Sequence, residues 1–326
     1  MKKFNIAILG ATGLVGRIML KVLEERKFPV KDLKLLASER SAGKVLNFKG
    51  QDIEVQEVTE HSFHGIDIAL FSPGKTASRK WAPVAVESGC IVIDNSSGWR
   101  MDKDIPLVVP EVNPHVLKHY KGIIANPNCS TIQLVVILNE IKKHFGLNRV
   151  IVSTYQSISG AGQKGIDKLL NELEGNQTEG KHKIAFNAMF HDISSIAGYS
   201  EEEIKMINET RKILEMPELP ISVTCVRLPI LGGHGESVNI QTEKKCSVEE
   251  IRKVMKDAKN VILIDNPLEQ NYPTPAISNG KDEVFVGRIR KDDAFENGFY
   301  LWIVADNVRK GAATNAVQIA ELYVKN

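Results

Sequence analysis

Aromatic residues fill only 6% of the 326 positions, and no stretch interleaves them with basic residues in quantity. The formal net charge is only +2, from 42 basic and 40 acidic side chains. A nucleic-acid surface needs a basic stripe, so these two shortages exclude nucleic acid as a partner. There are four cysteines, Cys90, Cys129, Cys225 and Cys246, widely spaced and without a C-x-x-C pair. That excludes a disulfide framework and a thiolate metal site, and no metal is expected. No apolar run approaches the ~20 residues of a membrane span. The first run ends at Gly10, too early for the apolar region of a secretion signal. A reduced, cytoplasmic setting is expected. Otherwise the composition is ordinary for a globular protein, with 43% hydrophobic and 25% charged residues. This length is better served by two domains than by one core.

The first 125 residues alternate short apolar runs with helical segments. Phe4 to Leu9 reads as a buried strand and Leu14 to Arg26 as the helix after it. Leu33 to Ala37, Ile66 to Ser72 and Cys90 to Asp94 read as further strands, with Lys80 to Gly89 helical. Alternation of this kind predicts an α/β domain with a parallel sheet covered on both faces. From Cys129 the pattern changes. A long helix to Phe145 and a strand at Arg149 to Gln156 precede a Gly-rich section. Strands at Ile221 to Leu228, Ser237 to Gln241, Val284 to Ile289 and Phe299 to Ala305 follow. An α+β domain on a mostly antiparallel sheet is expected there. The Ala-rich helical tail, Gly311 to Tyr323, is expected to pack back on the first domain. The expected division is residues 1–128, completed by 308–326, and residues 129–307.

Gly10-Ala11-Thr12-Gly13-Leu14-Val15-Gly16 lies between the first strand and the first helix. Glycines there let the backbone turn tightly and approach a pyrophosphate, which rests on the helix N-terminus. The spacing is G-x-x-G-x-x-G rather than G-x-G-x-x-G, but its place opening the chain favours a dinucleotide site over a structural turn. Gly10, Thr12, Gly13, Leu14 and Val15 are the candidate contacts. After the second strand, an acidic residue would select NAD and an arginine would accommodate a 2′-phosphate. The segment reads Ser38-Glu39-Arg40-Ser41. Arg40 between the hydroxyls of Ser38 and Ser41 favours NADP, with Glu39 directed to solvent.

Asn126-Pro127-Asn128-Cys129-Ser130-Thr131 places a cysteine in the first turn of a helix. Backbone N–H groups and the helix dipole favour an anion there, and hence a thiolate. Position alone leaves Cys129 open between a nucleophile and a small packing residue. Gln156 ends a strand and can orient a carbonyl; Ser159 and Gly160 lie in the turn after it and can meet a cofactor. Ser200-Glu201-Glu202-Glu203 has capping-box form. Glu202 and Lys205 on the helix that follows read by themselves as a surface ion pair. Arg227 ends a strand, and His234 follows Gly232-Gly233, a flexible turn suited to proton transfer near an anion.

GATGLVG, NPNCST, YQSISGAG and the R-x-P-x-x-x-x-H box occur in that order, and with them the chain resembles the aspartate-semialdehyde dehydrogenases from Phe4 to the segment Lys310 to Glu321. Length and insertions are similar to the compact bacterial branch typified by Gram-positive organisms. The resemblance implies a homodimer using NADP, in lysine, threonine and methionine biosynthesis. It implies that Cys129 attacks L-4-aspartyl phosphate and that NADPH reduces the thioester to L-aspartate 4-semialdehyde, reversibly. It also implies an acid/base role for His234, which moves the thiol proton, and acyl positioning by Gln156. Arg227 would then hold the substrate carboxylate, Glu202 or its neighbour Glu203 the ammonium, Arg100 and Lys205 the phosphate, and Asn307 the cofactor side. Two other readings stand beside it. N-acetyl-glutamyl-phosphate reductase shares the chemistry, but its acylated amine needs no carboxylate such as Glu202. A non-catalytic NADP-binding regulator would have no need of Cys129, Gln156, Arg227 and His234 together.

Overall fold

A computed structural model of the chain describes residues 2–193 and 198–325. The chain divides into two units, Met1–Asn128 with Ala312–Asn326, and Cys129–Gly311.

The first unit carries seven strands: β1 Phe4–Leu9, β2 Val30–Ala37, β3 Val45–Phe48, β4 Gln51–Glu57, β5 Ile68–Phe71, β6 Ile91–Asp94 and β7 Ile123–Ala125. Their order is β3-β4-β2-β1-β5-β6-β7, parallel throughout except for the β3–β4 hairpin. β1 sits in the middle, and Ile6 to Leu9 are buried, as a strand covered on both faces requires. Helix α1, Leu14–Glu25, returns over the sheet and buries Met19, Leu20 and Leu23. The C-terminal helix, Thr314–Lys325, packs beside it and adds Ala316, Val317 and Ile319 to the same core. Each of these Met, Leu, Val and Ile side chains contributes roughly 1.5–3 kcal/mol of burial. Arg26 pins that helix, its Nε and Nη2 donating to Glu321 at 2.7 and 2.8 Å. Strand order reverses between β1 and β5, and the loop leaving β1 holds Gly10 to Gly16. Open α/β sheets bind ligands at this kind of switch point.

Several elements differ from expectation. The β3–β4 hairpin has little apolar alternation to announce it. It closes on Lys49 and Gly50, with φ of 52° and 77°, the positive values a two-residue hairpin turn needs. Helix α2 runs Lys75–Glu87, starting before Lys80, because its first turn is polar and carries no apolar period. β7 is three residues long, too short for a pattern.

The second unit opens with α3, Cys129–Phe145, buried almost all round from Ser130 to Ile141. There follow β8 Arg149–Gln156, α4 Gln163–Leu173, β9 Met189–Phe190, α5 Glu201–Ile213, β10 Ile221–Arg227, β11 His234–Gln241, α6 Val248–Asp257, β12 Val261–Leu263, α7 Pro275–Ser278, β13 Val284–Asp292 and β14 Gly298–Ala305. The sheet order is β12-β13-β14-β11-β8-β10-β9. The sheet is mixed and, as expected, mostly antiparallel: β12–β13 and β8–β10 are parallel, and the pairs between β13 and β8, with β10–β9, are antiparallel. The parallel pairs arise because α-helical segments cross over between those strands. Helix α3 packs on β11, β13 and β14, with α5 and α6 beside it. The opposite face presents Ile151, Tyr155, Tyr300 and Trp302, and Ile151 and Tyr155 are exposed. Among the described residues no helix is long and apolar enough to cross a membrane.

Candidate active site

The glycine turn of the first unit is built so that only glycine fits. Gly10 has φ +84°, and a Cβ there would lie 2.9 Å from the Ser72 carbonyl group. A Cβ on Gly16 would lie 2.3 Å from the Gly10 oxygen. Helix α1 therefore starts hard against the end of β1. Its first turn holds no acidic side chain, so the N-terminal dipole faces an anion unopposed. Thr12, Leu14 and Val15 are half-buried and Gly13 is exposed, so a ligand reaches the turn. Ser38 precedes a single 3-10 turn, Glu39–Ser41, in which Arg40 is exposed and without a protein partner among the described residues. These residues fit a nicotinamide dinucleotide.

In the second unit, Cys129 begins α3 and is half-buried. Its Sγ lies 3.3 Å from His234 Nε2. His234 is the first residue of β11 and fully buried, which corrects the expectation of a flexible turn. Gly233 supplies the turn before it, with φ +76°. The Ser157 backbone N–H donates to His234 Nδ1 at 3.0 Å. A backbone amide only donates, so Nδ1 is the acceptor and neutral His234 carries its proton on Nε2, facing sulfur. Burial pushes the His234 pKa down to about 3, with Arg227 nearby acting in the same direction. The ring is thus held neutral, as a donor. The expected transfer of the thiol proton needs an unprotonated Nε2, and this arrangement favours the opposite duty.

The remaining polar groups converge on the same pair. Gln156 Nε2 donates to Ser130 Oγ and, at 3.3 Å, to Glu202 Oε1, while its own Oε1 is buried without a partner among the described residues. Glu203 closes the Ser200 capping box and accepts from the Cys225 N–H at 3.0 Å. Glu202 is therefore the carboxylate facing Gln156, and the two glutamates are told apart by geometry. Lys205 Nζ is 3.7 Å from Glu201 and from Glu202. Arg227 ends β10; its Nη1 donates to the Ser157 carbonyl at 2.7 Å and its Nη2 reaches His191 Nδ1 at 3.4 Å. A Cβ on Gly160 would lie 2.6 Å from Arg227 Nη1, so the glycine is what admits the guanidinium.

Two groups read from sequence sit in other surroundings. Ser159, Gly160 and Asn307 belong to the scaffold of His234: Asn307 Oδ1 accepts from Ser157 Oγ at 3.0 Å and from the Gly233 N–H at 3.1 Å, and its Nδ2 donates to Ser159 at 3.0 Å. Arg100 lies in the first unit, buried, its Nε and Nη2 donating to the carbonyls of Asn126 and Asn95 at 3.0 and 2.9 Å. Sequence reasoning missed Ser130, Ser157, His191 and Gly311. A Cβ on Gly311 would come within 3.0 Å of Cys129 Cβ. None of the four carries a local signal, since each acts through a partner distant in the chain.

Glu236, two residues along β11 from His234, is fully buried, with Gln133 beside its carboxyl group. Burial raises its pKa well above the usual carboxylate range. Above pH 4.5 the unfolded chain ionises this group while the folded chain keeps it protonated, so its contribution to stability falls as pH rises. Glu236→Gln is uncharged in both states and should gain thermal stability over the parent as pH is raised from 5 to 8. A difference in melting temperature that is the same at both pH values would contradict the burial of a neutral carboxyl.

Residues 5–120 match the NAD binding domain of semialdehyde dehydrogenases, and residues 138–310 match their dimerisation domain. Fold and site together place the chain among nicotinamide-dependent oxidoreductases. It is 57% identical to an aspartate-semialdehyde dehydrogenase of Aquifex aeolicus, over 99% of this chain and 98% of that one. The chain belongs to the aspartate-semialdehyde dehydrogenase family. Aspartate semialdehyde dehydrogenase II of Vibrio cholerae, in a crystal structure complexed with ASA, superposes with a TM-score of 0.96 at 47% identity, covering 100% of this chain and 99% of that one. The Candida albicans enzyme, solved with NADP, gives 0.78 at 26% identity, with 99% of each chain covered.

Proposed function

We propose that the protein interconverts L-4-aspartyl phosphate and L-aspartate 4-semialdehyde, using NADP, through a thioester on Cys129. The observation that carries the reading is the Cys129–His234 pair at 3.3 Å, with Arg227, Glu202 and Gln156 gathered around it. In the reductive direction the Cys129 thiolate attacks the acyl carbon, the C–O bond to phosphate breaks, and a thioester remains. A nicotinamide held by the glycine turn would supply hydride chemistry for reducing such a thioester. Collapse of the thiohemiacetal then releases the aldehyde and restores the thiolate. His234 Nε2–H steadies the thiolate and afterwards donates to the oxyanion of each tetrahedral intermediate. Gln156 is held by Ser130 and Glu202 so that its amide positions the acyl group. Arg227 holds the α-carboxylate and Glu202 the α-ammonium. That pairing favours an amino acid over an N-acetylated substrate. Lys205 receives the phosphate. Ser159, Gly160 and Asn307 keep the cofactor side of His234 in place.

On the cofactor, Gly10, Thr12, Gly13, Leu14 and Val15 would hold the pyrophosphate, and Ser38, Arg40 and Ser41 the 2′-phosphate. Arg40→Ala should weaken NADP binding by roughly 1.5–3 kcal/mol, the range for a hydrogen bond to a charged group. NAD binding should hardly change, and equal losses measured by titration calorimetry would make Arg40 structural. The helix-free face of the second sheet, with Ile151, Tyr155, Tyr300 and Trp302, is where two copies would pair as a homodimer. The whole reading is tested by following NADP reduction with L-aspartate 4-semialdehyde. Turnover should require phosphate, and phosphate-independent turnover or none at all would sink it.

A further inference from the structure

Gln133 is fully buried among aliphatic neighbours in α3, and the proposed mechanism gives it no duty. It stands four residues after Cys129, on the same face of the helix one turn further along. On β11, His234 and Glu236 are two residues apart and so project to the same face of the sheet. The two pairs meet as successive rungs: Cys129 Sγ lies 3.3 Å from His234 Nε2, and the Gln133 side chain lies beside the Glu236 carboxyl. Gln133 Nε2 also donates diagonally, to the His234 carbonyl at 3.4 Å. That carbonyl belongs to the residue where the ladder gives out, since β11 pairs with β8 only from Gly235 onward. A bond of this length is weak, and a buried amide is costly where an aliphatic side chain would pack. Burial holds the Glu236 carboxyl protonated, so the two residues do not attract as ions. Fold stability alone would be served as well by two apolar side chains of the same shape.

We propose that Gln133 is a positioning residue for the reaction: seated against Glu236, its amide ties α3 to the start of β11 and so sets the separation of Cys129 Sγ and His234 Nε2. The helix carries one member of the reacting pair and the strand carries the other. Any slip of one against the other therefore changes that distance directly. A hydrogen bond weakens steeply as its geometry bends, and the His234 N–H is the group that steadies the thiolate and then the oxyanion. Apolar packing is non-directional and resists such a slip poorly. An amide bonded to a main-chain carbonyl one turn from the sulfur is directional. Glu236 holds that amide in turn, from the next position on the same strand face. In this role Gln133 acts only through Cys129 and His234.

The inference rests on the proposed activity, and the test separates the two. Its main readout is the rate at which iodoacetamide alkylates Cys129 at pH 7, followed on the peptide that bears it by mass spectrometry. Gln133→Met keeps the length of the side chain and removes the donor. It should slow the alkylation about tenfold, the scale of losing one hydrogen bond to a charged group. It should lower kcat by a similar factor while KM for the semialdehyde and for phosphate stay near the parent values. It also takes from Glu236 its polar neighbour, so the melting temperature should fall. Gln133→Met combined with Glu236→Met replaces both polar partners and should melt close to the parent. A purely structural role predicts that alkylation and kcat recover with stability in this double variant, whereas a positioning role predicts that both stay low. Parent-like alkylation in Gln133→Met, or recovery in the double variant, overturns the inference while the activity stands. A parent protein without phosphate-dependent NADP reduction overturns both, whatever the alkylation rates.

Discussion

Cys129→Ser should lower turnover by at least about a thousandfold, on the scale seen when a catalytic nucleophile is removed, while leaving the fold and NADP binding intact. The argument starts from position. Cys129 is the first residue of α3, where the positive end of the helix dipole favours a thiolate. Across from it, His234 points an N–H at sulfur rather than a lone pair, since Ser157 occupies Nδ1. A serine oxygen fits the same space and accepts the same hydrogen bond. Its proton, however, leaves far less readily than that of a thiol, and His234 is too deeply buried to take it. Steady-state rates, with thermal melting and cofactor titration as controls, check this. Serine activity within tenfold of the parent would show that sulfur is not the nucleophile.

Arg227→Leu is expected to give the next largest effect, of a different kind. The guanidinium is held from two sides, by the Ser157 carbonyl and His191, so it is pre-placed for a planar anion. Losing it should raise KM for the semialdehyde by about 1.5–3 kcal/mol, the value of a charge-assisted hydrogen bond. Turnover should fall as well, because Ser157 also fixes the tautomer of His234 and binding of the non-reacting end orients the reacting end. Lys205→Ala should do the reverse, raising KM for phosphate much more than for the semialdehyde. The check is kinetics of both variants with each substrate varied in turn. The same pattern from both would return Lys205 to a surface ion pair with Glu201 and Glu202.

The sequence made legible those parts of the molecule that follow a local rule. The buried strand β1, the alternating strand β8, the helix that begins at Cys129 and the glycine turn each repeat a pattern within a few residues. Regions where packing decides were harder to read. Strand β11 begins at His234, because cross-strand pairing to Ala305 extends it through what reads as a glycine turn. The β3–β4 hairpin alternates only over Leu46 to Phe48 and Ile53 to Val55, runs too short to announce a strand pair, and its turn is marked by Lys49 and Gly50. In the site, the reacting residues themselves stand in recognisable boxes. Those that fix their states do not. Ser157 sets the His234 tautomer across 77 residues, and Asn307 ties Ser157 and Gly233 together across 150 and 74 residues. Glu202 and Glu203 differ by one position, and only the fold shows that the capping box consumes Glu203.

The central claim is the acyl group carried on Cys129, and it has a direct measurement. The protein is mixed with L-aspartate 4-semialdehyde and NADP in the absence of phosphate, quenched in acid, digested and analysed by mass spectrometry. The account predicts an aspartyl adduct on the peptide bearing Cys129, absent from Cys129→Ser and lost when phosphate is added before the quench. An unmodified Cys129 peptide in a protein that turns over once phosphate is supplied, or an adduct on Cys90, Cys225 or Cys246 instead, would contradict it.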